Sequence, residues 1–165
     1  MTTTHASMHA TTHAPKTDRP AGPLQWRRIV EWLRADGVIS EEEATRTIAR
    51  CSQAESSQHP LVRLDSVAMS RASDGKPLDI EMLTQYLAQR VGLDYLRIDP
   101  LKVDVGKVAD TMSASYAERH KVLPVQVTLK EVVVATAEPF ITDWVGEVER
   151  QARRPVRRVL TNPLD

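Results

Sequence analysis

Lys121 to Pro139 reads KVLPVQVTLKEVVVATAEP, and this stretch decides the fold. Lys121–Val127 and Glu131–Ala137 have the valine-rich, β-branched make-up of two strands, and the short Thr128–Lys130 segment between them suits a hairpin turn. None of these residues can do covalent chemistry, so the hairpin is scaffold and needs neighbours. Upstream, Tyr95, Leu96 and Ile98 form a short strand-like run ending at Pro100, and Val105, Val108, Ala109, Met112 and Tyr116 give a helical face. Downstream, Phe140, Trp144, Val145 and Val148 predict a second amphipathic helix after Pro139, and Pro155–Thr161, PVRRVLT, predicts a last strand. The resulting order, β-α-β-β-α-β over residues 93–165, lets a small sheet bury a face under helices while its edge strands stay available to a neighbour.

The preceding residues, 23–92, are helical. Ile29, Val30 and Leu33 follow Trp26 at helical spacing, and Gly37 stands where a left-handed cap is expected. Ser40 before Glu41, Glu42 and Glu43 predicts a capping box, with the hydroxyl on the Glu43 amide and the Glu43 side chain reaching back. The helix it starts aligns Ala44, Ile48 and Cys51 on one face, which makes Cys51 a core residue. Pro60 opens a third helix with an inward stripe of Leu61, Leu64 and Ala68, and Asp79 caps a fourth with Ile80, Leu83, Leu87 and Val91, closed by Gly92. Arg28-Ile29, Gly37 and the turn at Ser40 correspond to Arg63-Leu64, Gly75 and the turn at Asp79. Two helix pairs about 35 residues apart therefore read as an internal repeat. Residues 1–22, rich in Thr, Ala and His, have no apolar face and are expected to be a disordered tail. Its His5, His9 and His13 would share a face only if it were helical, and with no Cys or carboxylate partner no metal site is expected.

Composition narrows the function. Lys and Arg number 22 and Asp and Glu number 22 in 165 residues, so the net charge is zero and nothing draws the chain to nucleic acid. A single cysteine, no leader-like segment and no apolar run near the roughly 18 residues of a membrane span point to a cytoplasmic setting, with membrane contact only through a partner. The phosphate-cradling pattern Gly-x-x-x-x-Gly-Lys-Ser/Thr is absent, and the Gly75-Lys76 pair lacks the hydroxyl that would meet magnesium. No nucleophile with a paired base stands out, and His120 reads as a helix-end residue. The chain is expected to be non-catalytic, with no catalytic residue, no metal and no cofactor. Beginning at Met1 and stopping just after a strand, it is expected to be the N-terminal portion of a larger protein.

The runs LAQRVGLDYLRIDPLKVD, YAERHKVLPVQV, EVVVATAEP and PVRRVLT together resemble the N-terminal domain of secretion and pilus-assembly ATPases, including general secretion pathway protein E of type II secretion and the MshE-type domain of pilus motors. The resemblance spans about Leu24 to Leu160. It implies an α+β domain of two helix pairs followed by the small sheet, placed beside the ATPase domain of the same full-length chain. It also implies docking onto the cytoplasmic domain of the inner-membrane secretion protein L, peripheral to the membrane through that partner. For the contact surface the residues offer Trp32 with Arg28, since the inward stripe of that helix is already filled, and the basic run Arg153, Arg154, Arg157 and Arg158. The alternative implied by the resemblance is a regulatory domain of a pilus ATPase or a glycosyltransferase that binds cyclic di-GMP through an Arg-Leu-Gly motif in each repeat. Here Arg28, Ile29 and Gly37, then Arg63 and Leu64, occupy matching positions, while Val30 and Asp65 replace the motif glycines and Gly75 is displaced. The replacements oppose close backbone approach and bring a like charge to an anionic ligand.

Overall fold

Residues 20–165 are described by the computed structural model, so His5, His9 and His13 lie outside the described residues. The apolar spacing of the first helix, α1 (Trp26–Ala35), brings Ile29, Val30 and Leu33 fully into the core. α1 stops because Gly37 adopts φ +71°, which lets the Val38 amide donate back to the Leu33 carbonyl at 2.9 Å. In α2 (Glu41–Ser52) the Ser40 hydroxyl accepts from the Glu43 amide at 3.1 Å, but the return arm of the capping box does not form. The Glu43 carboxylate turns to Arg46, 3.2 Å away, an ion pair that a free backbone amide cannot match. Cys51 is buried beside Ala44, as expected of a core residue.

Pro60 sits in the first turn of α3 (Pro60–Val67), whose buried face is Leu61 and Leu64. Ala68 is not the third member of that stripe. It takes a left-handed φ of 54° at the helix end and faces solvent, and Met69 fills the core instead. α4 (Ile80–Val91) starts where the Asp79 carboxylate accepts from the Met82 amide at 2.8 Å and ends at Gly92 with φ +74°. The connections within the two helix pairs touch, the Ala72 amide donating to the Val38 carbonyl at 2.9 Å. The repeat seen in sequence is thus also a contact between its two turns.

β1 (Asp94–Tyr95), α5 (Val105–Thr111), α6 (Ala114–His120), β2 (Val122–Val127), β3 (Val132–Thr136), α7 (Val145–Ala152) and β4 (Val156–Leu160) complete the chain. The sheet order is β1-β4-β3-β2, with β1 and β3 parallel to β4 and β2 antiparallel to β3. The described residues thus combine seven α-helices with a four-stranded mixed sheet, the α+β class expected. Two boundaries differ from the sequence expectation. The face running from Val105 to Tyr116 is broken where Met112 turns extended and the Ser113 hydroxyl caps a new helix on the Tyr116 amide at 3.2 Å. The last helix starts at Val145, because Phe140 lies in a turn and packs against the helical core instead.

The central strand β3 is buried along its whole length. Val132 and Val134 on one face pack with Met112, Trp144 and Val148, and Val133 and Ala135 on the other with Val159, Leu96 and Ile98. Leu160, Tyr95 and Phe140 cross over into the helical core, so helices and sheet share packing at the ends of β1 and β4.

Candidate functional site

Where the helices meet the sheet, α1 presents two tryptophans, each attended by arginines. Trp32 is half-buried, its ring edge-on to Phe140 with centroids 6.1 Å apart, and the Arg90 guanidinium lies 5.4 Å above it. Arg90 is fixed by a 2.8 Å pair with Asp36, whose carboxyl is held below the usual range chiefly by the Tyr86 hydroxyl donating at 2.6 Å, with Arg90 adding to it. Arg28, one turn before Trp32 on the same face, is exposed. The residues that touch the Trp32 ring are Phe140 and Arg90, which spacing along one helix could not reveal.

Trp26 sits differently. The guanidinium groups of Arg27 and Arg63 lie 4.7 and 5.3 Å from its ring, and Arg63 also donates to the carbonyls of Cys51 and Ala54. Arg63 thus closes the C-terminal end of α2, where unpaired carbonyls need donors. Val30 has no exposed surface and points into the core, while Asp65 is half-buried on α3. Ile29 and Leu64 are likewise fully buried, so of the five residues aligned with the nucleotide motif Arg28 and Gly37 are exposed and Arg63 is half-buried.

Below Trp26 a cleft of about 1000 Å³ runs between the start of α1, the link before α3 and the ends of β3 and β4. His59 bridges it. Its Nδ1 accepts from the Leu61 amide at 3.1 Å and its Nε2–H donates to the Ala137 carbonyl at 2.8 Å, which fixes the neutral Nε2–H tautomer. Glu138 stands 3.6 Å from Nε2 and accepts from the Leu24 amide at 2.8 Å, tying the entry of α1 to the same point. Burial lowers the His59 pKa below its ordinary value, outweighing the Ala137 carbonyl and Glu138, which raise it. The sequence signal for His59 was its place directly before Pro60, a cap position; nothing in the sequence indicated the sheet residues it meets.

A pH dependence follows. With its folded pKa below the unfolded value of about 6.5, His59 contributes stability that is present above that value and is lost as pH falls through the folded pKa. Urea midpoints measured down the histidine range should fall more steeply for the wild type than for His59→Gln; equal slopes would remove His59 as the cause.

The basic run does not form one surface. Arg157 pairs with Glu131 at 3.1 Å and Asp94 at 3.3 Å, whereas Arg158, on the opposite face of β4, donates to the Pro139 carbonyl at 2.7 Å and has its pKa lowered by burial. Arg153 is exposed in a left-handed C-cap of α7 and Arg154 is half-buried beside it. Glu147 and Glu149, on the same helix, form no close ion pair with these arginines: Glu147 accepts from the Tyr116 hydroxyl at 3.1 Å and Glu149 from the Val156 amide at 3.1 Å. Among the described residues no group of three His, Cys, Asp or Glu side chains is placed to hold a metal, and no helix is long and apolar enough to cross a membrane.

Residues 91–165 match the family model described as MshEN domain. The chain is 35% identical over 144 residues to the type IV pilus assembly ATPase TfpB of Acinetobacter baylyi, an alignment that covers 84% of this chain and 24% of that protein. The chain therefore corresponds to about a quarter of its relative's length. A structure of MshE with cdg superposes with a TM-score of 0.61 at 17% identity, over 83% of this chain and 91% of that one, and shares its fold. A structure of the N-terminal domain of XpsE aligns at 14% identity with a TM-score of 0.49, over 83% of this chain and 87% of that one.

Proposed function

We propose that this chain, homologous to part of a type IV pilus assembly ATPase and with residues 91–165 in the MshEN domain family, is a non-catalytic docking module that joins a motor ATPase to the cytoplasmic domain of an inner-membrane platform protein. The observation that carries the reading is the alignment itself: 84% of this chain matches 24% of a pilus motor, so the chain stands for a module of the motor. Helical repeat residues 23–92 and sheet residues 93–165 act in this reading as two subdomains, one presenting the contact and the other bracing it. The contact surface in this reading is Trp32, whose ring meets Phe140 and the Arg90 guanidinium, with exposed Arg28 one helical turn away, the make-up of an interface anchor. In a type II secretion host the partner is protein L; in a pilus host it is the equivalent platform protein. Calorimetry of the chain against the cytoplasmic domain of its cognate platform protein tests this, and absence of binding by the wild type rejects it.

The second reading is regulation by cyclic di-GMP, favoured by the fold shared with MshE, which was solved with cdg. The residues here support it less. Arg63 is engaged with the α2 carbonyls and the Trp26 ring, and freeing it would leave those carbonyls without their donor. We expect no cyclic di-GMP binding at low micromolar concentration in a calorimetric titration. A dissociation constant in that range would show that Arg63 can leave α2 and would make the regulatory reading the better one.

A further inference from the structure

The turn between β2 and β3 and the link between α7 and β4 lie side by side, because the Val132 amide donates to the Pro155 carbonyl at 3.0 Å and Val132 is in register with Val156. The turn is stiff. The Thr128 hydroxyl accepts from the amides of Lys130 and Glu131, at 3.2 and 3.1 Å, and the Thr128 amide donates to the Glu131 carbonyl at 2.9 Å. At its tip Leu129 is 93% exposed, so a large apolar side chain projects from a turn whose backbone is held in place. Lys130 follows it, and Arg153 and Arg154 stand on the adjoining link, with Arg150 one turn earlier in α7.

The nearby carboxylates are turned to other partners, though only Glu131 is paired with a cation. Glu131 holds Arg157, Glu147 faces the Tyr116 hydroxyl, and Glu149 caps the Val156 amide. Among the described residues none of Lys130, Arg150, Arg153 and Arg154 has a carboxylate oxygen within ion-pair distance. The negative end of α7 accounts for a cation in its last turn, but not for Lys130 on a different element.

We propose that, against the sequence expectation of membrane contact only through a partner, this corner contacts an anionic bilayer surface directly, with Leu129 entering the boundary between headgroups and acyl chains and the four cations meeting lipid phosphates. What the corner offers is one projecting apolar side chain on a turn beside a link that carries Arg153 and Arg154, with exposed Arg150 on the adjoining helix, which suits a fluid anionic surface. The contact is weak alone and gains from any second tether that holds the chain near the membrane. It uses no residue of the Trp32 surface, so it stands or falls separately from the protein docking above.

The test is co-sedimentation of the 165-residue chain with vesicles of phosphatidylcholine alone and of phosphatidylcholine mixed with phosphatidylglycerol, without any protein partner. Binding is expected only to the mixed vesicles and should fall with added salt. Replacing Arg150, Arg153 and Arg154 by Gln should weaken it by about fivefold per arginine. Leu129→Ser, at an exposed turn, should weaken it while leaving the salt dependence as it was, and Arg46→Gln on α2 should change nothing. Equal binding to both vesicle types, or binding to mixed vesicles that the triple variant retains, overturns the proposal. So does failure to bind the mixed vesicles, and binding to polyglutamate in that case would assign the corner to an acidic protein.

Discussion

Trp144→Ala is expected to lower the unfolding free energy by about 4 kcal/mol, a large share of what a domain of this size possesses. Trp144 is 1% exposed and lies between α7 and the sheet, in one cluster with Met112, Val122, Val132, Val134 and Val148. Alanine would leave a cavity between central β3 and its covering helix, where strands and helix are too firmly hydrogen-bonded to collapse into it. It would also remove the indole N–H that donates to the Ile141 carbonyl at 3.0 Å, leaving a turn carbonyl without its partner. Trp144→Phe separates the two effects. It keeps most of the volume and loses the donor, and should cost about 1–2 kcal/mol. Urea denaturation followed by circular dichroism gives both numbers, and a loss below about 1 kcal/mol for Trp144→Ala would mean that the helix is not clamped to the sheet by this residue.

The helical half was legible because its signals are local. Ser40, Asp79, Gly37 and Gly92 act within one turn of their own position, and each caps the helix end assigned to it from sequence. Local signals also explain the errors. Val105 to Tyr116 keep helical spacing across a break, and only the Ser113 cap marks it, because spacing reports a face and not continuity. Phe140 has the spacing of α7 yet belongs to the core of α1, a tertiary contact that no window along the chain contains. Glu43 could have closed the capping box, but Arg46 one turn later offers a stronger partner.

Charge was harder to place than hydrophobicity. Arg153, Arg154, Arg157 and Arg158 look like one cluster in sequence, but β4 has a period of two and its neighbours alternate faces. Arg157 and Arg158 are therefore separated by the sheet itself and consumed by Glu131, Asp94 and the Pro139 carbonyl. The cations left over are joined instead by Lys130, twenty residues away from Arg150 in sequence and brought close by the parallel pairing of β3 with β4. Such a surface becomes visible only when the strand register is known.

Trp32→Ala is expected to weaken docking to the platform protein by about thirtyfold, the effect of removing an anchor worth about 2 kcal/mol. Its ring is half-buried, so part of any loss could come from the junction it helps to hold: the Phe140 edge contact and the Arg90 guanidinium above it. Phe140→Ala distinguishes the two origins, because it removes the junction contact and leaves the Trp32 ring on the surface. If Trp32 touches the partner, Phe140→Ala should lower stability but change affinity only a few-fold, whereas Trp32→Ala should lower affinity in proportion to the lost anchor. Arg28→Ala, removing an exposed cation at the rim, should act mainly on the association rate and its salt dependence. Calorimetry and surface-binding kinetics on the three variants, each checked for folding by circular dichroism, give four separable results. Equal losses for Trp32→Ala and Phe140→Ala would make Trp32 a positioning residue of the junction. Full affinity in all three, with a wild type that binds, would move the docking surface away from α1 while leaving the partner in place.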